Sequence, residues 1–108
     1  MRAAVSLLLL AALLPARAAA AGKESSLRAG NKLYGKRQYE AAIEKYGKAT
    51  SPGDVRPDFN SADAHYRLED YAEAARRFQR LAEDRRYPAK DRAAAYYNLG
   101  DALVRQED

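Results

Sequence analysis

The sequence predicts an all-α fold, a solenoid of antiparallel helix hairpins whose third repeat is incomplete. Three observations carry this reading. Two stretches, Gly30–Tyr46 and Ala62–Phe78, superimpose without a gap at an offset of 32 residues. Within each, small and apolar residues recur at spacings of three and four, the period of a helix with one buried face. Pro52, Gly53, Pro57 and Pro88 fall between or at the starts of these periodic segments, where a helix tolerates them. No segment requires a strand.

Taken in chain order, Met1 and Arg2 form a short basic start, Ala3 to Leu14 a leucine-rich apolar run, and Pro15 to Ala21 a stretch of mostly small residues. That order is the layout of a secretory signal peptide, with cleavage expected between Ala18 and Lys23. The run is shorter than the roughly 20 residues needed to span a bilayer as a helix, so no membrane span is expected after cleavage. It also lacks the polar face that every later helix carries, which argues against a buried helix of the fold. The expected organisation is a signal peptide over 1–21 and a helical repeat domain over 22–108, with repeats near 23–54, 55–88 and 89–108.

Helices are expected over 26–36, 39–50, 58–68, 71–84 and 89–106. In the first, Ala29, Gly30 and Leu33 share a face; in the second, Ala42, Ile43, Tyr46 and Ala49 do. The fourth has the matching stripe Ala74, Ala75, Phe78 and Leu81. Small residues such as Gly30 and Ala42 allow facing axes to approach closely while Tyr46 fills the space beyond. The third helix is degenerate, because Asp58, Ser61 and His65 stand where the fifth has Tyr96, Leu99 and Leu103, and it is expected to pack weakly. The fifth begins a third copy, with Gly100 placed 38 residues after Ala62. No second helix follows it, so either it caps the array or the array continues beyond Asp108, the second being the expectation.

Composition narrows the function. The chain has 19 basic and 15 acidic residues; losing Arg2 and Arg17 with the signal leaves 17 against 15, a net charge of +2, too little to suggest a nucleic-acid partner. Without cysteine there is no disulfide, thiolate metal site or N-terminal lipid attachment. His65 is the only histidine, and its alignment with Leu33 and Leu103 marks a packing residue. The acid pairs Glu69–Asp70 and Glu83–Asp84 are neighbours in sequence rather than on one helical face. No catalytic set, cofactor or metal is expected. The cluster Arg76, Arg77, Arg80, Arg85 and Arg86 reads as a solvated outer face near a helix C-terminus.

Gly-x-x-x-Tyr followed by Tyr-x-x-Ala and a further aromatic resembles the 34-residue tetratricopeptide repeat, over essentially all of the chain after the signal. The phrases Gly30-Asn-Lys-Leu-Tyr, Asp70-Tyr-Ala-Glu-Ala-Ala-Arg-Arg-Phe and Ala95-Tyr-Tyr-Asn-Leu-Gly-Asp-Ala-Leu are similar to exported repeat proteins of bacterial aerotolerance operons. The resemblance implies a protein-binding adaptor of the periplasm or cell envelope, beside membrane-anchored von Willebrand A-domain proteins. The alternative is an assistant of cell-wall enzymes or a glycan-binding envelope protein. It also implies a concave groove lined by the first helix of each hairpin. Four rows of residues repeat there: Asn31, Asp63 and Asp101; Tyr34, Tyr66 and Val104; Gly35, Arg67 and Arg105; Leu27, Phe59 and Tyr97. Tyr34, Tyr66, Phe59 and Tyr97 are expected as apolar anchors, and Asn31, Asp63, Asp101, Arg67 and Arg105 as polar contacts. The two arginines suggest an acidic partner segment. A chaperone-type carboxylate clamp is not expected, because Leu27 stands where such a clamp needs lysine.

Overall fold

The computed structural model describes the backbone of residues 2–108 and the side chains of residues 16–108. All regular elements among the described residues are helices: α1 (Arg2–Gly35), α2 (Tyr39–Ala49), α3 (Val55–Arg67), α4 (Tyr71–Glu83) and α5 (Ala89–Glu107). Each packs on its neighbours in sequence, with a smaller contact between α3 and α5. Much of the expected signal segment lies outside the residues with described side chains. The first-repeat helix is continuous with it rather than beginning at Ser26, and the first core residue along the described stretch is Leu27, 4% exposed. No described helix is long and apolar enough to cross a membrane.

The start of α3 differs from expectation. It begins at Val55 rather than Asp58, because the Asp54 carboxylate accepts a hydrogen bond from the Arg56 backbone N–H at 3.1 Å and caps the helix. Pro57 then sits in the first turn, where its missing N–H costs nothing. The same Asp-x-Arg device recurs before α5, where Asp84 accepts from the Arg86 N–H at 3.0 Å and from its guanidinium.

The two hairpin turns are identical in construction. The Gln38 N–H bonds to the Leu33 carbonyl and the Arg37 N–H to that of Tyr34, both at 2.9 Å. Asp70 and Glu69 repeat the pattern onto His65 and Tyr66. These are Schellman closures, and they place Arg37 (φ 61°) and Glu69 (φ 62°) in the left-handed region that glycine normally occupies.

Small residues set the helix spacing. A Cβ on Gly30 would lie 2.5 Å from the ring of Tyr46, and Ala42, Ala62, Ala64, Ala74, Ala82, Ala95 and Ala102 have no exposure at all. Two apolar clusters result, one from Leu27, Ala42, Tyr46 and Ala49, the other centred on Phe78, Leu81 and Tyr87. Contrary to the expectation of weak packing, α3 is covered on two sides. Pro57, Ser61 and Ala64 are buried along one side, Ala62 lies within the Phe78 cluster on the other, and Arg77 Nη1 satisfies the Ser61 hydroxyl at 3.3 Å. Small side chains at these positions let two neighbours close on one helix.

Candidate partner-binding groove

Consecutive first helices enclose two clefts built from equivalent residues. The first, about 270 Å³, is lined by Asn31 and Tyr34 of α1, Tyr46 of α2, and Asn60 and Asp63 of α3. The second, about 40 Å³, is lined by Asp63 and Tyr66 of α3, Phe78 of α4, and Asn98 and Asp101 of α5. Every member of the first has its counterpart in the second, at the repeat offsets of 32 or 38 already seen in the sequence. Asp63 belongs to both.

Hydrogen bonds tie the cleft walls together. The Tyr34 hydroxyl donates to an Asp63 carboxylate oxygen, and Arg67 Nε donates to the same hydroxyl at 3.1 Å. Burial, reinforced by Asp63, pushes the Tyr34 hydroxyl up to about 12, so it stays a donor at any physiological pH. Tyr66, Asp101 and Arg105 repeat the set. Acceptance by the Asp101 carboxylate holds the Tyr66 hydroxyl above its ordinary value, and the titrating oxygens of Tyr66 and Tyr71, with Asp101, raise Arg105. In the first cleft the Tyr46 hydroxyl donates to Asn31 Oδ1 at 2.9 Å, and Asn60 Nδ2 donates to the same oxygen at 3.2 Å. Phe78 at the Tyr46 site has no such hydroxyl, so the two floors differ in polarity.

The structure therefore brings together Asn31, Tyr34, Asp63, Tyr66, Arg67, Asp101 and Arg105. It separates Phe59 and Tyr97 from them. Phe59 packs edge-on against Phe78 with ring centroids 5.4 Å apart, inside its hairpin, and its first-repeat counterpart Leu27 is buried. Tyr97, at the same register of α5, is exposed away from both clefts. Leu27 and Phe59 face the second helix of their own hairpins, which is why those positions are apolar. Arg67 Nε is engaged by the Tyr34 hydroxyl, which carries no charge at physiological pH, so the guanidinium keeps its charge beside the cleft. Asn60 and Asn98 were missed. Their signal was present as an asparagine pair at the 38-residue offset that relates Ala62 to Gly100.

Several charges outside the clefts are paired locally. Glu73 pairs with both Arg76 and Arg77, and Asp84 with Arg86. A separate cleft of about 160 Å³ beside them mixes Asp58 and Asp84 with Arg77, Arg80 and Arg86. His65 is held neutral, its pKa lowered by burial and then by the charge of Arg77, and Nδ1 lies 3.3 Å from Asp70 without hydrogen-bond geometry. Among the described residues, no group of three or more potential ligands could hold a metal ion.

Comparisons with protein-family models, with curated proteins and with solved structures gave no match.

Proposed function

We propose that this chain is an exported tetratricopeptide-like adaptor of the cell envelope, which holds a segment of a partner protein along the first helices of its hairpins. The observation that supports this reading is the duplication of the clefts. Repeats can preserve apolar packing without preserving polar residues that face open space, yet here hydroxyl, carboxylate and amide groups recur in register at both sites. Amide side chains such as Asn60 and Asn98 offer one acceptor and two donors each, which suits the N–H and C=O groups of an extended chain. Arg67 and Arg105 stand beside the clefts as cations, so a segment that also carries acidic groups is the expected ligand. No reaction is assigned to the site.

The test is capture of partners from envelope extract by the wild-type protein and by two double variants. Asn98→Ala with Tyr66→Ala, in the cleft, is expected to weaken capture by at least about tenfold while leaving the helical signal intact. Arg76→Ala with Arg80→Ala, on α4, is expected to change it little. The reverse pattern would refute the groove, and recovery of the protein from cells with Met1 still attached would remove the envelope placement.

A further inference from the structure

The two clefts share their residue types but neither their room nor their floor. The second, about 40 Å³, has space for a water molecule and little more, whereas the first, about 270 Å³, can take a side chain. Phe78 closes the second with a plain ring, while Tyr46 brings a hydroxyl into the first and donates it to Asn31 Oδ1. Of the two, only the first can admit a side chain of a partner and meet it with polar groups on every wall.

The donors and acceptors of the first cleft select that side chain. Asn31 Oδ1 is occupied twice, by the Tyr46 hydroxyl at 2.9 Å and by Asn60 Nδ2 at 3.2 Å, and Asp63 Oδ2 accepts the Tyr34 hydroxyl. Among the described residues, Asn60 Oδ1 and Asp63 Oδ1 remain as open acceptors and Asn31 Nδ2 as an open donor. A neutral amide would satisfy these groups, but charge decides for a cation. Asp63 is the only charged residue in the lining, and it forms no ion pair among the described residues. Its charge reaches both walls, because Asp63 adds to burial in raising the Tyr34 and Tyr46 hydroxyls. Arg67 is held apart from it at the exposed rim, where Nε donates to the intervening Tyr34 hydroxyl at 3.1 Å. The interior is thus negative and the rim positive. We propose that the first cleft takes a basic side chain, a lysine or arginine of the partner segment, whose ammonium or guanidinium donates to Asp63 and Asn60. This names the anchor of the groove described above and rests on that reading. Acidic groups elsewhere in the segment meet Arg67 at the rim. Because the second cleft has no room for the same side chain, the segment binds in one register instead of sliding by a repeat.

The experiment selects peptides on the immobilised wild-type protein from a random phage-displayed library, and keeps those whose binding is lost in the double variant Asn98→Ala with Tyr66→Ala. Lysine or arginine should be enriched at one position of these peptides, with acidic residues nearby. In synthetic copies measured by fluorescence anisotropy, replacing that basic residue with glutamine should weaken binding to the wild-type protein at least about tenfold. On Asp63→Asn, shown by circular dichroism to keep its helices, the same replacement should cost less than about threefold, because the carboxylate it answers is gone. Asn60→Ala leaves the tie between Asp63 and Tyr34 intact and should also narrow the preference, which keeps the test open if Asp63→Asn does not fold. Groove-dependent peptides with no basic enrichment, or glutamine versions that bind the wild-type protein equally well, would overturn the proposal and leave the groove standing. Recovery of no peptide sensitive to the double variant would instead refute the groove itself, and this anchor with it.

Discussion

Tyr46 closes over Gly30 so tightly that a single added carbon on the glycine would fall 2.5 Å from its ring. The ring cannot simply swing away, because it is 2% exposed and its hydroxyl is bonded to Asn31. The contact joins three levels of the molecule: a glycine in the sequence, the spacing of α1 and α2, and the position of a hydroxyl in the first cleft.

Replacing Gly30 with alanine should therefore destabilise the protein despite alanine's better helix propensity. Overpacking of a filled interface typically costs about 1–3 kcal/mol, against about 1 kcal/mol gained from propensity, so a net loss of about 1 kcal/mol is expected. Urea unfolding of the variant checks this, with Gly100→Ala as the contrasting case. At Gly100 no atom is displaced, so that variant should be neutral or slightly stabilised.

Asp63→Asn should loosen the tie between α1 and α3. It removes the charged acceptor of the Tyr34 hydroxyl, and a hydrogen bond to a charged group contributes about 1.5–3 kcal/mol where it is shielded, somewhat less at this partly buried site. A spectrophotometric tyrosine titration gives a second readout. Burial and then the hydrogen bond to Asp63 raise Tyr34 to about 12, so in the variant the Tyr34 pKa should fall part of the way toward the ordinary value. An unchanged titration would mean that burial alone sets it.

His65→Leu should stabilise the protein, most of all in mild acid. The folded state lowers the histidine pKa, so the unfolded chain takes up the proton first and stability falls as pH drops through about 6.5. The loss ends once pH passes below the folded value. Burial drives the shift, the charge of Arg77 adds to it with a smaller part from Arg76, and Asp70 opposes it. Leucine, present at the equivalent Leu33 and Leu103, has no polar atoms to strand, and a gain of about 1 kcal/mol at neutral pH is expected. Thermal melts at pH 7 and pH 5 should converge in the variant and diverge in the wild type. Asp84, held down at about 2 chiefly by its hydrogen bond to the Arg86 guanidinium, acts in a separate window: its contribution is present above the unfolded value and fades as pH falls toward 2.

Glu69→Gly and Arg37→Gly should each stabilise by about 0.5 kcal/mol. Both native residues hold a left-handed φ that costs a side chain about 1–2 kcal/mol, partly offset by the greater freedom glycine loses on folding. The turn hydrogen bonds involve backbone groups alone and survive the change. Denaturant midpoints of the two variants, which should be similar because the turns are built alike, provide the check.

The sequence by itself determined the helices and their rhythm. Spacings of three and four are a local property, and the offset that relates Tyr34 to Tyr66 and Tyr46 to Phe78 is visible without coordinates. It also carried the membership of the groove in part, since Asn31, Asp63 and Asp101 repeat as a row. What it left undecided was direction. Leu27, Phe59 and Tyr97 repeat as faithfully as the asparagine and aspartate row, and only the burial of Leu27 and the packing of Phe59 on Phe78 reveal that the first two face the neighbouring helix rather than the cleft. Likewise, Arg67 in sequence is a free cation, whereas in the fold Tyr34, 33 residues away, engages its guanidinium. The start of α3 depended on a cap at Asp54, and the left-handed turns at Arg37 and Glu69 were imposed on residues with no preference for them. Periodicity records which residues lie on one side of a helix, but which neighbour that side meets is fixed only when helices distant in sequence close on one another.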